Sequence, residues 1–285
     1  MSISASCPGH ISGYFRKITG PSGTTTGSIG AGVVIEPGVT VTVSTAEKTS
    51  VSVRQVLPGG SHRQVADRSP PIASALRHIG TDVRVITECR LPIGAGFGLS
   101  AAALLATLTA VNELEGLGLT GHEIARIAHE TEVLHRTGLG DVAACQDGGR
   151  VVRTGAGIDG EIHRFYDLPG PLCAVSFGPI LTPTVLGSAE KMRRVESAFP
   201  TTKPASPAEF FRCCQDFSHR SGLETPEVAR VLAACRAEKI MAGMTMLGNG
   251  VFACGERAYP VLRQFGDVYP CTMARAGARL TGGAP

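Results

Sequence analysis

A chain of 285 residues is long enough to bury one large core or two closely joined ones. With 43% hydrophobic and 18% charged residues its composition is that of an ordinary globular protein, and a net charge of +3, dispersed along the chain, is too weak to suit nucleic acid or an anionic membrane. Nine cysteines, an odd count with no Cys-x-x-Cys pair, read as reduced thiols. The longest apolar run, Ala101 to Val111, is far short of the roughly 20 residues a spanning helix needs. Met1 to Pro8 lacks the basic and apolar regions of a signal peptide. These features predict a soluble, cytoplasmic protein.

Up to about Val56 the sequence is strand-rich. Gly32–Ile35 and Val39–Val43 are β-branched clusters separated by Pro37-Gly38, which predicts a hairpin. The glycine-interrupted segments Cys7–Phe15 and Gly27–Gly32 read either as bulged sheet or as backbone left bare for a ligand. A short helix is expected over Pro71–His78 and a strand over Asp82–Glu88.

Next comes Pro92-Ile93-Gly94-Ala95-Gly96-Phe97-Gly98-Leu99-Ser100-Ala101-Ala102, the most informative stretch of the chain. Three glycines in five residues let successive N–H groups curl around an anion, and the helix that follows adds its unpaired N–H groups and the positive end of its dipole. A flexible surface turn is the plain alternative. The loop lacks the lysine of the Gly-x-x-x-x-Gly-Lys-Ser/Thr motif, and its third glycine comes too early for Gly-x-Gly-x-x-Gly. The helix from Leu99 to about Glu113 is apolar all round, hence buried. Ser100 is either a helix cap or a hydroxyl for magnesium or a phosphate.

Thr120 and Glu123 form a capping box for a helix running to about His135. Its expected buried stripe is Ile124, Ile127, Ala128, Thr131 and Leu134, with Glu132 and His129 on one flank. Glu130 pairs with Arg126 on the other, leaving Glu132 as the functional candidate. In Thr137-Gly138-Leu139-Gly140-Asp141 the last residue is a helix cap or a second acid that the tight turn brings near Glu132. Paired carboxylates suit magnesium and the handling of a hydroxyl nucleophile. Strands are expected from Gly148 through Tyr166 and over Leu172–Phe177. Helices follow over Ser188–Ala198, Pro207–Ser221 and Pro226–Ala237. Strands over Met241–Met246 and Val251–Cys254 flank Leu247–Gly250, and a helix from Glu256 and a strand over Asp267–Met273 close an α+β chain divided as 1–167 and 168–285.

These segments resemble the galactokinase–homoserine kinase–mevalonate kinase–phosphomevalonate kinase (GHMP) superfamily. The order is an N-terminal Pro-Gly strand, the glycine loop ending in Ser-Ala-Ala, an Ala-x-x-x-Glu helix, Gly-x-x-Asp, and a late glycine hairpin at Met246–Gly250. Pro8–Phe15, Gly30–Val33 and Thr137–Val142 are most similar to its pantoate-phosphorylating archaeal members. The resemblance implies an N-terminal α+β domain beside a ferredoxin-like C-terminal one, with the active site between them. It also implies ATP-dependent phosphorylation of (R)-pantoate to 4-phosphopantoate on the archaeal route to coenzyme A, and a homodimer.

By position it places Pro92, Gly94, Ala95, Gly96, Phe97, Gly98, Leu99, Ser100 and Ala101 on the nucleotide. Ser100 and Glu132 fall on Mg2+, and Asp141 is the base or orienting carboxylate, so that these three make the catalytic set. Arg153 is the expected partner of the substrate carboxylate. His10, Ser28, Gly30, Ala31, His129 and Thr184 are the further substrate contacts. His10 stands where mevalonate kinases carry a lysine, Leu99 replaces a first serine, and Ile29 sits where a basic residue is expected. A kinase for homoserine or mevalonate, or a nucleotide sensor without turnover, are the competing readings.

Overall fold

The computed structural model describes residues 1–57, 59–180, 185 and 187–282. In chain order the elements are β1 (Ser2–Ile18), β2 (Gly27–Thr45), β3 (Ser50–Val56), β4 (His62–Ala66), α1 (Pro70–Ile79), β5 (Val83–Cys89), α2 (Leu99–Glu115), α3 (Gly121–His135) and α4 (Asp141–Cys145). The chain continues with β6 (Arg150–Arg153), β7 (Ile162–Phe165), β8 (Leu172–Pro179), α5 (Ala189–Ala198), α6 (Pro207–Ser221), α7 (Pro226–Ala237), β9 (Met241–Met244), β10 (Gly248–Cys254), α8 (Ala258–Leu262), β11 (Val268–Met273) and β12 (Arg279–Leu280).

β1 and β2 form one long antiparallel pair, from Ser2 opposite Ser44 to Ile18 opposite Gly27, with register shifts between Cys7 and Gly9 and between Ser12 and Tyr14. Along its other edge β2 meets three partners in turn. Gly30–Val33 pair with β6, Ile35 and Glu36 with β11, and Val39–Thr45 with β5. The hairpin expected at Pro37-Gly38 is therefore not there. The strand runs through because its partner changes at that point, so the N–H that proline lacks is not needed by a ladder.

α2 lies against β1 and β2 and touches α1, α3 and α4. Leu104, Leu105, Leu108, Ala101, Ala102 and Val111 are buried on all its sides, which answers its apolar circumference. α3 starts with the expected capping box: the Thr120 hydroxyl accepts from the Glu123 N–H, and Glu123 accepts from the Thr120 N–H at 2.8 Å. Its buried face is rotated from the expected stripe. Leu134 is 72% exposed, whereas His129 and Glu132 are buried, because each finds a polar partner inside.

In the second half β8, β9, β10 and β11 make an antiparallel layer in the order β11-β8-β10-β9. With helices between β8 and β9 and between β10 and β11, this is a split βαβ, ferredoxin-like arrangement. The chain then crosses back: β11 joins β2, and β12 joins β1 at Ala5 and Ser6, so one sheet links the layer to the N-terminal strands. At the junction Arg150 is fully buried. Its Nε and Nη2 donate to Asp167 at 3.0 and 2.6 Å, and its guanidinium lies 4.4 Å from the Phe165 ring centroid and 5.8 Å from that of Phe210. Since α2 anchors both the sheet and the helices, Leu104→Ala should lower unfolding free energy by about 3 kcal/mol. The check is a lower denaturant midpoint with an unchanged slope.

Candidate active site

The glycine loop reads out as a left-handed path, with φ of 78° at Gly94, 83° at Gly96 and 61° at Gly98. Only glycine takes these angles freely. Gly98 is the N-cap of α2 and no side chain caps that helix among the described residues, so its first N–H groups are left to serve an anion. Two other segments fix the loop in place. The His10 N–H donates to the Phe97 carbonyl at 2.9 Å, and a Cβ on Gly96 would press the Met246 carbonyl at 2.8 Å, so the Met246–Gly248 turn seats directly upon it.

The loop forms one wall of a cavity of about 500 Å³. Gly94, Gly96, Phe97, Gly98, Leu99, Ser100, Ser28 and Asp141 face it, as expected from the sequence. Val53, Val65, Pro70, Pro71, Ile72 and Cys89 form an apolar slot in its lining, which Arg68, Ser69 and Thr87 also face. Ser12, Phe15, Thr137, Gly138, Leu139 and Gly140 line the same cavity as Asp141. Of these, Thr137 was open to inference from the Thr137–Asp141 motif. The slot residues lie on β3, β4, β5 and the first turn of α1 and carry no local signature.

The two acids do converge. A Cβ on Gly138 would collide with Glu132 Oε2 and press Asp141 Oδ2 at 3.1 Å. Glu132 is 1% exposed. Thr137 Oγ1 donates to its Oε1 at 2.9 Å, and Ser100 stands near enough to the same carboxylate to favour its charged form. Burial, followed by the charge of Asp141, pushes Glu132 up to about 7. A buried carboxylate with no cationic partner among the described residues, beside a hydroxyl at a helix N-terminus, fits a magnesium ion. Burial pushes Asp141 up as well, but the His10 hydrogen bond and the nearby Arg153 charge outweigh it and leave this acid below the ordinary aspartate value. The Asp141 side chain is 22% exposed toward the cavity. Arg164 holds α4, which carries it, by donating to the carbonyls of Ala143 at 3.2 Å and Ala144 at 2.9 Å.

Other expected contacts lie elsewhere. His10 is fully buried behind Asp141, 2.7 Å from its Oδ1, rather than on the cavity. Arg153 is one layer behind the wall. Its Nε and Nη2 donate to the Ser28 carbonyl and Oγ, both at 3.4 Å, and Gly140 lies flat over the guanidinium, where a Cβ would stand 2.8 Å from Nε. Gly30 and Ala31 pair with β1 on one edge of β2 and β6 on the other, which commits their backbone to the sheet. His129 donates from Nε2 to the Thr26 carbonyl at 2.8 Å and fastens the Ser22–Thr26 turn instead of facing a substrate. Pro92, Ala95 and Ala101 shape the loop without lining the cavity, and Thr184 lies outside the described residues.

This arrangement of glycine loop, helix N-terminus and paired acids is that of a small-molecule kinase, and residues 69–149 match the GHMP kinases N terminal domain. The chain belongs to the GHMP kinase family. It is 41% identical to the pantoate kinase of Methanospirillum hungatei over 98% of this chain and 96% of that one. It is 31% identical to the pantoate kinase of Thermococcus kodakarensis, covering 89% and 87%. A solved phosphotransferase related to the CoA biosynthesis pathway shares the fold, with a TM-score of 0.76 over 99% of both chains at 24% identity.

Glu132 makes apo stability depend on pH. An unfolded glutamate loses its proton near 4.5, whereas the folded one holds it to about 7. Between those values the folded state binds more protons, so this contribution falls as pH rises, by at most about 3 kcal/mol. His10 and His129, lowered by burial, act in the opposite sense below 6.5. The measurement is therefore the difference in melting temperature between wild type and Glu132→Gln. That difference should change steadily from pH 5 to pH 7.5, the wild type losing ground to the variant.

Proposed function

We propose that the chain transfers the γ-phosphoryl group of ATP to the primary hydroxyl of pantoate, giving 4-phosphopantoate and ADP. One observation carries the chemistry: the α2 N-terminus and Asp141 open on the same cavity. The end-to-end similarity to pantoate kinases supports the choice of acceptor.

The apolar slot around Val53, Pro71 and Ile72 takes the flat face of the base. Backbone N–H groups of the residues between Gly94 and Ser100 that face the cavity cradle the phosphates. Ser100 and Glu132 hold the magnesium ion, whose role is to neutralise charge on the transferred group. Asp141, kept ionised by its surroundings, accepts a hydrogen bond from the acceptor hydroxyl, aims its oxygen at the phosphorus and takes its proton as the bond forms. Ser28, Ser12 and Phe15 bound the acceptor. The positive charge of Arg153, close behind Ser28 and Gly140, favours an anionic one.

Coupled ADP release should be fast with pantoate and negligible with mevalonate or homoserine; equal rates for all three would overturn the substrate reading. Asp141→Ala should abolish turnover and leave ATP affinity within a few-fold. Unchanged turnover would remove Asp141 from the mechanism.

A further inference from the structure

Behind Asp141 a line of buried polar groups has its protons fixed by valence. His10 Nδ1 is 2.7 Å from Asp141 Oδ1, and its Nε2 is 3.4 Å from Arg153 Nη1. A guanidinium donates and never accepts, so Nε2 must offer its lone pair. The imidazole proton then sits on Nδ1 and is donated to the carboxylate. The opposite tautomer would set N–H against N–H at Arg153 and a lone pair against a carboxylate oxygen at Asp141. A charged ring would face the guanidinium as a second cation with no water between them. The charged groups near the ring are Asp141 from α4, Arg153 from β6 and, farther off, Arg164 from β7.

The line is rigid at both ends. Arg153 is held by two contacts to Ser28 and covered by Gly140, while α4 is held by Arg164. His10 itself is held by its N–H bond to the Phe97 carbonyl in the glycine loop. A ring so fixed orients one lone pair of the carboxylate and leaves Asp141 Oδ2 on the side of Gly138, which faces the cavity.

We propose that His10 is a positioning residue that couples the charge of Arg153 to Asp141. The effect on turnover rests on the reading of Asp141 as the carboxylate that aims the acceptor hydroxyl. The proton arrangement does not.

Two measurements test it. In the intact, ligand-free protein labelled with 15N in its histidines, with the His10 signals assigned by their loss in His10→Gln, the ring should be neutral and protonated on Nδ1. It should stay so below the ordinary histidine value of 6.5. A charged ring or an Nε2–H tautomer overturns the proposal whatever the substrate proves to be.

The second is a double-mutant cycle read on kcat with saturating ATP and pantoate. His10→Ala and Arg153→Met should each lower kcat by about 100-fold or more. Residues that act in series are not additive, so the double variant should fall no further than the worse single one, within about threefold. Losses that multiply would show two independent roles and overturn it. Affinity for a fluorescent ADP analogue, unchanged within about threefold, confirms that each variant keeps its fold and its nucleotide end.

Discussion

The hydrogen bond from the His10 N–H to the Phe97 carbonyl ties the glycine loop to the first strand, and the rest of the site depends on that tie. On one side of it the loop leads into α2 and sets where an anion can lie. On the other the His10 side chain reaches Asp141. One backbone contact thus fixes the distance between glycine loop and acid, and distances between reacting groups are what phosphoryl transfer is sensitive to.

The acids then divide their labour by environment. Glu132, enclosed and near a like charge, holds its proton up to about 7. Asp141, partly open and backed by a hydrogen-bond donor and a guanidinium, stays charged. Two carboxylates close together with opposite settings are a common route to separate roles at neutral pH. Here the separation comes from which neighbours each carboxylate faces.

The parts legible from the sequence are the local ones. The glycine loop, the α2 circumference and the Thr120 capping box are written within a few residues, and Glu132 and Asp141 are joined by a short turn. The misplaced residues answer to distant partners. Leu134 is outside because the α3 face that is buried follows the Thr26 carbonyl and the Ser100–Thr137 hydroxyls instead of the apolar spacing. Pro37-Gly38 looks like a turn until the three neighbours of β2 are known, and those come from residues far along the chain. Arg153 resembles a free cation until Ser28 and His10, more than a hundred residues earlier, are seen to claim it.

The return of the last strands has a mechanical result. β11 lies between β2 and β8, and β12 against β1, so the two halves share a continuous ladder instead of a flexible tether. Relative motion of layers joined in this manner strains the shared ladder as well as the connecting chain. Any tightening around bound reactants has to bend these two short ladders as well as the chain that links the halves.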